Sequence, residues 1–259
     1  MFDELADRVF RRRYESLDLN VGVVIAEDGV LVIDTRASHA EADQLLADLA
    51  TLTKEPVRWV IDTHWHWDHT FGNARFPGAE IWGHQLCRKA MVERGESMKE
   101  DAVAWLPDRL AEISEVVITP PTKVIDATTE LDLGGTVVTM SYHGLGHTDA
   151  DIVVQVGDIA FFGDLVEEGA PPVFDDGYPL SWPGTLRSAL ALGSVIIVPG
   201  HGDVMDVDAV GAQLEDIEAV AATARRCVEE GLPLEEAARL GPYPNEVMTS
   251  ALRRALGTV

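Results

Sequence analysis

The chain alternates between β-branched runs and stretches in which apolar residues recur every three or four positions. Residues 21–26 (VGVVIA) and 30–34 (VLVID) are strand-like runs separated by Glu27-Asp28-Gly29, a pattern that predicts a hairpin. Residues 39–53 (HAEADQLLADLATLT) carry apolar side chains at helical spacing, and 57–61 (VRWVI) returns to strand. Ile81-Trp82 is a short strand candidate, followed by polar helical sequence over 85–113. A second strand-rich stretch opens near Val116, is interrupted by Pro120-Pro121, and reads as strand, turn, strand over 131–136. Further β-branched or aromatic runs stand at 137–142, 152–156, 159–162 and 195–198. The tail is mostly helical over 207–230 and again from Leu234, with Gly-Leu-Pro and Gly-Pro-Tyr-Pro as breaks.

Strands and helices thus fall into two comparable sets that join around residues 115–135. Mixed sheets with helices outside them fit this order better than a bundle or an all-β sandwich. No linker-like composition separates the sets, so one continuous domain over 1–259 is expected.

Composition narrows the field further. Hydrophobic content of 46% and charged content of 25% belong to an ordinary globular chain, and 259 residues suffice for a buried core. No apolar run reaches the roughly 18 residues of a membrane span. The first twenty residues are charged and lack the apolar stretch of a secretion signal, so a cytoplasmic protein is expected. Cys87 and Cys227 stand in separate helix-like segments without metal or redox spacing, which fits free thiols in a reducing compartment. The net charge of −24 repels polyanions and argues against nucleic acid as a partner.

The chemistry concentrates in four short motifs, each after an apolar run. Thr63-His64-Trp65-His66-Trp67-Asp68-His69 supplies four candidate ligands, and Gly146-His147-Thr148, Gly163-Asp164 and Pro199-Gly200-His201-Gly202 supply three more. Imidazole and carboxylate together suit zinc, and also iron or manganese. Extended backbone would turn His64, His66 and Asp68 to one face, and a turn beyond Asp68 would bring in His69. Gly146, Gly163 and Gly200 each precede a candidate ligand, where glycine lets the backbone approach closely. Asp34 is a candidate for orienting a metal-bound histidine, whereas His143 reads as a surface side chain.

These motifs resemble the metallo-β-lactamase superfamily, with the match running from about residue 20 to 203 and a helical segment, 204–259, following it. The resemblance implies an α+β fold, a four-layer αββα sandwich of two mixed β-sheets flanked by helices. Carried over, His64, His66 and His147 would bind a first metal, Asp68, His69 and His201 a second, and Asp164 would bridge them. Two divalent ions are implied, zinc foremost, with iron or manganese as alternatives. A filled bridging position is more similar to glyoxalase II-like thioesterases, lactonases and phosphodiesterases than to true β-lactamases.

The expected function is hydrolysis of a small ester, thioester or lactone by a metal-bridging hydroxide, with Asp68 as a catalytic residue that orients it. The alternative is a mononuclear iron persulfide dioxygenase, since relatives use the same histidines that way. The partner is a small molecule, with no nucleic acid or membrane involved. Residues 166–185 form a Pro- and Gly-bearing loop after Asp164, and Phe174, Tyr178 and Trp182 are the pocket candidates in it. Residues 85–113 have the length for a helical lid.

Overall fold

A computed structural model describes residues 1–257. Its first sheet follows chain order: β1 (Asp3–Ala6), β2 (Val9–Arg13), β3 (Asn20–Ile25), β4 (Val30–Ile33), β5 (Val57–Ile61), β6 (Glu80–His84) and β7 (Lys123–Ile125). The second holds β8 (Thr129–Asp132), β9 (Val137–Tyr142), β10 (Ile152–Val156), β11 (Ile159–Gly163) and β12 (Ile196–Pro199), in the order β12-β11-β10-β9-β8. Both are mixed: β4 to β7 pair in parallel while β1 to β4 are antiparallel, and β12 alone is parallel in the second sheet. The helices are α1 (His39–Leu52), α2 (Trp67–Thr70), α3 (Gln85–Trp105), α4 (Leu110–Ser114), α5 (Trp182–Leu190), α6 (Val207–Glu230), α7 (Leu234–Ala237) and α8 (Asn245–Leu256). None is long and apolar enough to cross a membrane.

The period-two alternation of strands sorts their side chains into layers. From β3 and β4, Val21, Val23, Val30 and Val32 face Ala42, Leu45 and Leu49 of α1, while Val24, Leu31 and Ile33 face the other sheet. From β10 and β11, Ile152, Val154 and Phe161 meet them between the sheets. Val153, Ala160 and Phe162 point the other way, onto Leu186 of α5, Ile217 of α6 and Met248 of α8. Because both faces of these strands are covered, they read as continuous apolar runs. The result is the expected αββα sandwich.

Most predicted elements are present, including the hairpin, where Ile25 pairs with Val30. Three strands lie outside the sequence reading: β1, β2 and β7. The first two form an edge whose charged side chains conceal it. Arg11 is only 8% exposed because Asp3 and Asp203 flank its guanidinium, and Arg13 is held by Asp18 and Asp203. The long helix expected over 85–113 divides at Leu106-Pro107, where proline ends α3 and a short turn leads into α4.

Candidate metal centre

All four motifs emerge at one edge of the sandwich, and main-chain bonds tie their loops together. Asp34 N donates to Ile61 O at 2.9 Å, Ile152 N to Thr63 O at 2.8 Å, Gly200 N to Gly163 O at 2.8 Å and Asn20 N to Gly200 O at 2.8 Å. Two glycines are required by this crowding. A Cβ on Gly200 would stand 1.8 Å from Asp164 Oδ1, and Gly163 has φ +52 with Thr63 Oγ1 2.7 Å from its would-be Cβ.

The first motif departs from the extended geometry expected of it. His66 is the last extended residue (φ −64, ψ 150) and caps α2, so the turn begins at Trp67 rather than beyond Asp68. Asp68 therefore leaves the face shared by His64 and His66 and joins His69.

Seven side chains gather in two sets. In the first, His66 Nδ1 lies 3.1 Å from His64 Nε2 and 2.8 Å from His147 Nε2. In the second, His201 Nε2 lies 3.4 Å from His69 Nε2 and 3.3 Å from Asp68 Oδ2. Asp164 stands between them. Its Oδ2 is 3.6 Å from His64 Nε2, 3.4 Å from His147 Nε2 and 3.4 Å from His201 Nε2, and its Oδ1 is 3.2 Å from His69 Nε2. Within each set the ligand atoms lie within 4.8 Å of one another.

The outward nitrogen of each histidine is already committed. His147 Nδ1 donates to Val173 O at 3.2 Å and His201 Nδ1 to Leu17 O at 2.7 Å. His69 Nδ1 meets Asp34 Oδ2 at 2.8 Å, and His66 Nε2 meets Asp176 Oδ2 at 3.3 Å. Thr63 spends its hydroxyl proton on Asp34 Oδ2 at 2.9 Å, so its oxygen accepts from His64 Nδ1 at 3.1 Å. Every inward nitrogen is then either a bare lone pair or the bearer of an extra proton. Asp34 does this work from a left-handed backbone conformation, φ 65, which side-chain-bearing residues adopt rarely.

Charge divides the two sets. Burial pushes His64 well below the ordinary imidazole range and His147 down to about 3, so these two are neutral donors. His69 and His201 are buried as well, yet Asp164 and Asp68 beside them hold both well above that range. Against its own burial, Asp164 is kept ionised by His69 and His201. Asp164 Oδ1 is buried without a well-formed hydrogen bond. Convergent lone pairs, an ionised carboxylate and an orphaned oxygen are the donor set of a cation site, and imidazole with carboxylate suits zinc. The residues present fit the ions that the resemblance implies.

Beside the first set opens a groove of about 140 Å³, lined by the face of α3 that carries Lys89 and Arg94 and by Trp65, Asp149, Tyr178 and Arg254 among others. Tyr178, one of the three residues named from the loop, lines this groove. Phe174 (1% exposed) and Trp182 (0%) do not line this groove. Their rings pack 5.3 Å apart in the core under α5 and α8, and the Trp182 indole donates to Leu165 O, pinning the loop. Residues 85–113 supply one groove wall through α3, whose other side packs on Trp67 and Phe71. His143 bonds Ser141 and Ser188, away from the centre. Sequence reasoning missed Asp176 and Arg94. Asp175-Asp176-Gly177 reads as an ordinary turn, and nothing local announces a partner 110 residues away.

Comparison with curated protein sequences gives no match. Among solved structures, a metallo-beta-lactamase from Pontibacter korlensis superposes with a TM-score of 0.67 at 20% identity, covering 84% of this chain and 98% of its own. The metallo-beta-lactamase FIM-1 from Pseudomonas aeruginosa, in its mono-zinc form, gives 0.68 at 18%, covering 85% and 96%. The sec-alkylsulfatase Pisa1 from Pseudomonas sp. gives 0.79 at 14%, covering 99% of this chain and 50% of its own. At such identities these likenesses speak for the fold alone. The family model of the metallo-beta-lactamase superfamily, however, matches residues 17–201, a stretch that begins on the carbonyl held by His201 and ends on His201 itself. On that match, with the sandwich and the two ligand sets at its edge, the chain belongs to the metallo-beta-lactamase superfamily.

Proposed function

We propose that the chain is a metal-dependent hydrolase of a small ester, thioester or lactone. The observation that carries this reading is Asp164, whose two carboxylate oxygens reach histidine nitrogens of both sets while Oδ1 lacks a well-formed hydrogen bond. His64, His66 and His147 would hold one ion, Asp68, His69 and His201 the other, with Asp164 shared. Two divalent ions, zinc by the chemistry of the donors, would supply a water-derived nucleophile near neutral pH and a Lewis acid for the carbonyl.

The chain's own residues do the rest. Asp68 is the catalytic residue of this reading. Its Oδ2, 3.3 Å from His201 Nε2, is placed to orient the nucleophile and accept its proton. His69 and His201 are locked by Asp34 and by Leu17 O, so neither ring turns when substrate enters. The groove admits the substrate against Trp65, and the Tyr178 hydroxyl can donate to it. A net charge of −24 disfavours nucleic acid as substrate. Two free cysteines, Cys87 and Cys227, suit a reducing compartment such as the cytoplasm.

The test is a hydrolysis panel on zinc-loaded protein with a carboxylic ester, a thioester, a lactone, a β-lactam and an alkyl sulfate. The last is included because the alkylsulfatase fold spans nearly the whole chain. Turnover confined to the first three, lost on chelation and restored by zinc, supports the proposal. Turnover of the sulfate alone overturns the carbonyl choice, and oxygen uptake with a persulfide on iron-loaded protein overturns hydrolysis altogether.

A further inference from the structure

His66 differs from the other four histidines of the centre. His64, His69, His147 and His201 all turn Nε2 inward, whereas His66 turns Nδ1 inward, 3.1 Å from His64 Nε2 and 2.8 Å from His147 Nε2. An imidazole can offer Nδ1 as a lone pair while neutral only if its proton sits on Nε2. His66 Nε2 points outward to the rim of the groove, and its partner there is Asp176 Oδ2 at 3.3 Å.

Asp176 is itself held on three sides. Arg94 Nη1, from α3, reaches its Oδ1 at 3.4 Å, leaving Oδ2 to His66. Arg254, from α8, donates to the main-chain oxygens of Asp176 at 3.0 Å and Gly177 at 2.8 Å, fixing the peptide that carries the carboxylate. Arg94 also lies over the Trp65 ring, 4.5 Å from its centroid, and that ring packs 4.4 Å from His66. A rim ion pair alone adds little to stability. This one ends on an imidazole whose opposite nitrogen faces the first set, so its consequence is orientation.

We propose that Asp176 is a positioning residue that holds His66 in its Nδ1-binding tautomer, and that Arg94 acts on the first metal through Asp176. The inference rests on the reading that His64, His66 and His147 hold an ion. It ties α3, the groove wall, to a metal ligand through one carboxylate.

The experiment is a competition titration of the full chain with cobalt(II) against a chromophoric chelator, following the ligand-field absorption of bound cobalt. It uses the wild type, Asp176→Asn, Arg94→Ala and the double variant. Asp176→Asn is expected to weaken one of the two cobalt sites about 10- to 100-fold and alter its absorption, leaving the other site unchanged. Repeating the titration in a His201→Ala background assigns the weakened site to the first set. Arg94→Ala is expected to weaken the same site less, and to add nothing once Asp176 is gone. The proposal is overturned if Asp176→Asn binds cobalt as the wild type does, if both sites weaken alike, or if Arg94→Ala acts equally with and without Asp176. A wild type that takes up no cobalt sinks the underlying metal reading instead, a result distinct from all of these.

Discussion

Asp34 accepts from His69 Nδ1 at 2.8 Å, and the same carboxylate accepts from Thr63 N at 2.8 Å and Thr63 Oγ1 at 2.9 Å. One buried side chain thereby aligns His69 directly and His64 through the threonine hydroxyl, one histidine from each set. Asp34→Ala removes all three bonds. The expected effect is about 10- to 100-fold weaker metal binding at both sets, with stability lowered by about 1–3 kcal/mol for each buried group left unpaired. Metal titration and chemical denaturation check the two parts separately.

Asp164 joins the sets, so its loss is expected to act on both. Asp164→Ala should bring metal content below two per chain and turnover close to background. Elemental analysis and the preferred substrate of the panel are the readouts; full metal content with full turnover would remove Asp164 from its bridging role.

Gly200 is a steric requirement rather than a ligand. Gly200→Ala places a methyl group where Asp164 Oδ1 stands, 1.8 Å away, and the rigid turn forces the carboxylate to move. A displacement of about 1 Å is expected to cost on the order of 100-fold in kcat. Circular dichroism should stay unchanged while activity falls, since the strain falls on one loop.

Protons and metal compete unequally for the two sets. His69 and His201 are held above the usual imidazole range, against their burial, by the carboxylates beside them, so metal must displace their protons. His64 and His147 are pushed down by burial and are already free to bind. As pH falls through the range above ordinary imidazole titration, the ion of Asp68, His69 and His201 should leave first, and the other only at lower pH. Metal stoichiometry after dialysis at stepped pH tests the order; loss of both ions together would contradict it.

The candidate ligands were legible because metal chemistry needs specific side chains at strand ends, and His64, His66, Asp68, His69, His147, Asp164 and His201 stand in short motifs there. The layers were legible from the apolar runs of β3, β4, β10 and β11. Residues 9–13 (VFRRR) were not, because a strand next to the sheet's edge can seat arginines against Asp3, Asp18 and Asp203, which are remote in sequence or spaced without pattern. The burial of Phe174 and Trp182 was hidden for a related reason: aromatic rings in a loop serve equally to line a pocket or to anchor the loop, and tertiary packing decides. Asp68 stands apart from the face of His64 and His66, where an extended backbone would have kept it, because a helical turn opens at Trp67.

Elemental analysis of the purified chain decides whether a two-metal hydrolase stands here. Close to two zinc ions per chain are expected, removed by chelator together with hydrolysis and restored with it. About one iron per chain, without hydrolysis and with oxygen uptake on a persulfide, would contradict it.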